Sequence, residues 1–183
     1  MKKLCIVFIV ILIAFSLSGC TTSSIVRAAC RGDSSTVSKL LDEGANINEV
    51  SAGYSPLSCA VHKEKNEIVK LLLSSRANPD NPDGRYSPLM YAAESGNIEI
   101  AQELIKSGAK VNFTSYNGLS PLGMAAMKGN IAMVNQLLAA GADIEAALIS
   151  LDLYTKFYDR HWADLEANVG KNLLTRLADK KKN

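Results

Sequence analysis

The chain has 183 residues, 48% of them apolar, and a formal net charge of +2. That length and composition describe one folded domain and exclude a disordered or low-complexity chain. So small a charge excludes the basic footprint that nucleic acids and other polyanions need, and without residues 1–19, which carry Lys2 and Lys3 and no acid, the balance falls to zero.

Met1-Lys2-Lys3 begins a basic segment, and Leu4 to Phe15 is a nearly unbroken apolar run. The run is short for a spanning helix and has the length of a signal-peptide core. Leu17-Ser18-Gly19-Cys20 follows, and a leucine, two small residues and a cysteine resemble a bacterial lipobox. The resemblance implies cleavage before Cys20 and a thioether from its sulfur to diacylglycerol. Residues 1–19 are then a lipoprotein signal peptide and 20–22 a lipidated N-terminus with a short linker. An uncleaved anchor and an ordinary secretory signal are the alternatives, and both also export the domain. Thr21, and not Asp, follows the cysteine; by resemblance to the sorting rule of Gram-negative lipoproteins this favours the outer membrane. The expected location is the bacterial cell envelope, lipid-anchored on its periplasmic side and close to the bilayer.

From Ser23 the chain repeats. The clearest unit starts at Ser87-Pro88-Leu89, breaks at Gly96-Asn97 and ends at Gly108-Ala109. Serine suits an N-cap, proline the first helical position and glycine a left-handed stop, so the unit reads as helix, tight turn, helix. Ser55-Pro56-Leu57 stands 32 residues earlier and Ser120-Pro121-Leu122 stands 33 later. The closing mark recurs at Gly44-Ala45, Arg76-Ala77 and Gly141-Ala142, and Ser23-Ser24-Ile25 opens a degraded first copy. One such unit cannot bury its own apolar face, so the copies must stack. Four units in phase over residues 23–145 resemble the ankyrin repeat, whose pattern is T-P-L-H-x-A over 33 residues. The resemblance implies an all-α solenoid of about four helix-turn-helix repeats. Three departures stand out: Ser for Thr at 55, 87 and 120; Ser58, Met90 and Gly123 where the pattern has His; and Arg76 where the other units have Gly.

Cys30 and Cys59 fall on the first helices of adjacent repeats, three residues out of phase. Export to an oxidising compartment permits a disulfide, which needs Cα atoms within about 7 Å. Neighbouring helices pack about 8–10 Å apart, so two buried thiols are the favoured expectation. No catalytic constellation is visible. His62 and His161 are the two histidines, neither in a metal-binding spacing, and the chain has no Gly-x-Ser-x-Gly and no glycine-rich phosphate loop. The expectation is a non-enzyme with no cofactor, no metal and no small-molecule substrate.

What a solenoid offers is a concave surface. In ankyrin proteins the partner meets the loop tips and the solvent side of the first helix. Carried onto this chain, the resemblance implies contacts from Tyr54, Tyr86 and Leu119 before each Ser-Pro-Leu, from Asn81, Asp83, Arg85, Tyr116 and Asn117 in the loop tips, and from His62 and Lys63, Glu94 and Ser95, and Met127 and Lys128 before the inter-helix turns. Tyrosine gives large contact area with a polar tip, as interfaces favour. The alternative for Tyr54 and Tyr86 is packing on the next repeat. The prolines at 79 and 82 stiffen the loop between them.

After Ala142 the pattern stops. Ile144 to Tyr158 reads as one longer helix, and Trp162 to about Ala178, with Leu165, Val169, Leu173, Leu174 and Leu177, as a second. Residues 146–183 are read as a C-terminal helical cap with a short basic tail, Lys180 to Lys182, expected to be frayed and solvated. The functional expectation is a membrane-anchored module that binds a protein partner. Small ankyrin lipoproteins are similar in architecture to some immunity proteins against secreted phospholipase effectors, which implies inhibition of an envelope-acting toxin. The alternative is a non-inhibitory scaffold or accessory in envelope assembly or oxidative-stress defence.

Overall fold

The computed structural model describes residues 24–80, 86–157 and 161–182, with side chains described outside 155–167 and 180–182. Ten helices follow one another among the described residues: α1 (Ser24–Arg31), α2 (Ser34–Asp42), α3 (Pro56–His62), α4 (Asn66–Ser74), α5 (Pro88–Ser95), α6 (Ile98–Lys106), α7 (Pro121–Met127), α8 (Ile131–Ala139), α9 (Ile144–Phe157) and α10 (His161–Lys182). The first eight form four antiparallel pairs. The inner helices α1, α3, α5 and α7 stack in one row and the outer helices α2, α4, α6 and α8 in a second. Leu57, Leu72, Leu89, Leu104, Leu122 and Leu137 lie fully buried between the rows, one continuous core built by repetition.

Each inner helix from α3 onward starts at a serine in extended backbone with proline at the first helical position. Ser55 Oγ accepts from Ser58 N at 3.0 Å and Ser58 Oγ accepts from Ser55 N at 2.9 Å. The serine that stands where the ankyrin pattern has histidine thus closes a capping box. Ser120 Oγ accepts from Gly123 N and meets Ser150 Oγ of α9 at 3.1 Å. Ser87 Oγ is buried and makes no hydrogen bond with the described residues. The loop tips are tied across repeats by short side chains. Asn48 Oδ1 accepts from Asn78 N, Asp80 Oδ1 from Lys110 N, and Asn112 Oδ1 from Asp143 N. Gly44, Gly108 and Gly141 end the outer helices at positive φ, and Arg76 does the same at φ +67°, as its position in the repeat implied.

Cys30 and Cys59 are joined in a disulfide with Cα atoms 5.2 Å apart, against the expectation of free thiols. The spacing of about 8–10 Å refers to helix axes, and each Cα stands about 2.3 Å off its axis, so facing Cα atoms come within bridging range. A three-residue offset is close to one turn and keeps both cysteines on facing sides. Ala28, Ala29 and Ala60, all buried, let α1 and α3 approach.

The terminal pair is a cap, and its placement matters for the site. α9 continues the inner row beside α7, while α10 packs on both α7 and α9. With α5 and α9 flanking α7 and α8 behind it, the side left for α10 is the concave one. Gly170 makes the approach possible: a Cβ there would lie 2.9 Å from Met127 N and 3.1 Å from the Ala126 carbonyl carbon. Lys171 Nζ pairs with Asp152 at 2.5 Å, tying α10 to α9. Helix α10 continues to Lys182, so residues 180–182 form its last turn.

Candidate functional site

The concave side of the second and third repeats is open and aromatic. Tyr54 and Tyr86 occupy equivalent positions just before Ser55 and Ser87, each half-buried. His62 ends α3, and Tyr91 and Glu94 lie three residues apart on one face of α5. The rings form one cluster. Tyr54 stacks on His62 at 5.7 Å between centroids, His62 meets Tyr91 at 5.0 Å, Tyr86 meets Tyr91 edge-on at 5.6 Å, and Tyr54 stands 6.3 Å from Tyr91. The cluster lines a cavity of about 380 Å³, completed by Ala52, Gly53 and Glu94. A backbone bridge between Ser51 and Tyr54 fixes the loop that presents Tyr54. Glu94 is exposed, and no cation among the described residues is paired with it.

The structure thus brings together four of the residues expected on the binding face, Tyr54, His62, Tyr86 and Glu94. Lys63 and Ser95 lie beside them and are exposed, as are Lys128 and Tyr116, which is 59% accessible. Three others are buried in the free chain. Leu119 sits in the core, where its side chain lies beside Gly123. Asn117 lies inside its own loop, its Oδ1 accepting from Ser115 Oγ, which also accepts from Leu119 N. Met127 lies under Gly170 of α10. The concave face therefore closes at the fourth repeat, and Asn117, Leu119 and Met127 serve folding where contact with a partner was expected. Cys20, Asn81, Asp83 and Arg85 lie outside the described residues. Tyr91 escaped the sequence reading because it stands inside the apolar run of α5. Its spacing to Glu94, one turn along the same helix, was the available signal.

Among the described residues no group of histidine, cysteine and carboxylate side chains is arranged to hold a metal ion, and no helix is long and apolar enough to cross a membrane. The family model for ankyrin repeats (3 copies) matches residues 25–115 and 80–147. The chain belongs to the ankyrin-repeat family, and its repeats make it a protein–protein interaction module. No curated protein matches it.

Proposed function

We propose that this chain is a lipid-anchored interaction module on the periplasmic side of a bacterial envelope, which binds and inhibits a protein partner such as an envelope-acting phospholipase toxin. The observation that carries the binding half is the open aromatic cleft on the concave side of the second and third repeats. The Cys30–Cys59 disulfide supports export, since such bridges persist in oxidising compartments and are rare in the cytosol. The Leu17-Ser18-Gly19-Cys20 stretch supports the anchor.

Two experiments test the reading. Labelled fatty acid enters the wild type and does not enter a Cys20→Ala variant; label in both, or in neither, removes the anchor. The full chain, used to capture proteins from envelope extracts and from the products of neighbouring genes, retains one stoichiometric protein whose toxicity or enzymatic activity is lost in the complex. A retained envelope protein that keeps its activity replaces inhibition with scaffolding.

A further inference from the structure

We propose that the cleft among Tyr54, His62, Tyr86, Tyr91 and Glu94 is a guanidinium site, which takes an arginine side chain of the partner. This deepens the interaction reading above and rests on it.

Three features of the cleft point to a cation. An aromatic face is electronegative and attracts cations whose charge lies within about 6 Å of the ring centroid. Here the centroids themselves stand 5.0 to 6.3 Å apart, so a cation seated in the cleft lies within reach of several rings at once. Glu94 lines the same cavity, and no cation among the described residues is paired with it, so it supplies the opposite charge. The cavity volume of about 380 Å³ is in the range of small-ligand sites and accommodates a whole side chain.

The chemistry also selects among cations. A guanidinium is planar, stacks on aromatic rings and forks onto a carboxylate with two parallel N–H donors. A quaternary ammonium has no N–H and leaves the Glu94 carboxylate without a donor. The carboxylate beside the rings therefore favours arginine over a choline-type head group.

The test titrates the full chain in detergent with N-acetyl-arginine amide and follows the ring resonances of Tyr54, His62, Tyr86 and Tyr91. N-acetyl-citrulline amide, neutral and nearly isosteric, and tetramethylammonium are the comparison probes. The arginine probe shifts these rings saturably, citrulline binds about tenfold more weakly, and Glu94→Gln or Tyr54→Leu weakens the arginine probe about tenfold, the scale of a desolvated cation–π contact. Equal binding of arginine and citrulline overturns the charge requirement, and no shift with arginine overturns the site. Tighter binding of tetramethylammonium overturns the guanidinium assignment in favour of a quaternary head group. Partner capture is scored separately. A partner held equally by the wild type and by Glu94→Gln sinks the guanidinium site and leaves the interaction reading standing; a wild type that holds nothing sinks the interaction reading itself.

Discussion

Cys30 of α1 and Cys59 of α3 are covalently joined across the first two repeats, their Cα atoms 5.2 Å apart. The first repeat is the one whose sequence is most degraded, and α1 is the end of the inner row. The bridge closes a loop with a sequence separation of 29, which on chain-entropy grounds restricts the unfolded state by about 3.6 kcal/mol. Reduction, or Cys30→Ser with Cys59→Ser, is expected to lower the free energy of unfolding by that amount in denaturant titrations. The loss should concentrate in hydrogen exchange of α1 and α2, because a solenoid frays from its ends.

The three serine caps are not equivalent. Ser55 and Ser120 each accept a hydrogen bond from the backbone, whereas Ser87 Oγ is buried without one among the described residues. Ser55→Ala and Ser120→Ala are each expected to cost about 1 kcal/mol. Ser87→Ala should be neutral or stabilising, because it removes a buried unsatisfied group. Equal losses at all three positions in thermal melts would contradict the assigned bonding.

Arg76 holds φ +67° where the other repeats place glycine. A side chain in that conformation costs about 1 kcal/mol, and Arg76 is exposed with no ion pair described for it. Arg76→Gly is therefore expected to raise stability by about 1 kcal/mol, measured as a shift in the denaturation midpoint at unchanged m-value.

Gly170 sets the closure of the concave face. A methyl group there meets the backbone of Ala126 and Met127, which cannot move without disturbing α7. Gly170→Ala is expected to displace α10 at a cost of about 1–3 kcal/mol and to expose Met127 to oxidation, read by mass spectrometry. An unchanged oxidation rate would mean that α10 does not cover this position.

Lys70 and Glu99 link α4 to α6 at 2.6 Å, with Asn66 also donating to Glu99. The Lys70 hydrogen bond and charge hold the Glu99 carboxyl below its ordinary value of 4.5 and raise the Lys70 ammonium above 10.5. The carboxylate's contribution is complete above its unfolded value and is lost as pH falls through its folded value. The ammonium's contribution is complete below 10.5 and is lost as pH rises past its raised folded value. Both groups are half exposed, so the effect is small and screened. The stability difference between wild type and Lys70→Met should be flat through neutral pH, shrink in acid, and fall with added salt.

Most of the architecture was legible because the repeat is local. Ser-Pro starts, glycine stops and the 32–33-residue period each report a short-range backbone requirement, and the structure places helices at every one. Among the residues expected to meet a partner, exposure was legible only where it follows from position in the repeat, as at His62, Lys63, Glu94 and Ser95. Met127 failed because its burial depends on α10, which arrives from outside the repeat pattern and docks through Gly170. Asn117 failed because its loop folds its side chain inward onto Ser115. The disulfide failed because a helix-axis distance was applied to facing Cα atoms. The burial of Met127 is a tertiary fact and that of Asn117 a local loop conformation, and the repeat period encodes neither.

The most direct test of the account is hydrogen exchange on the full chain with and without its captured partner. Protection is expected in the loop at Tyr54, at the end of α3 around His62, and along α5 from Tyr91 to Glu94, with the outer helices α4, α6 and α8 unchanged. Protection confined to the outer helices or to α10, with the Tyr54–Glu94 cleft unaffected, would contradict it.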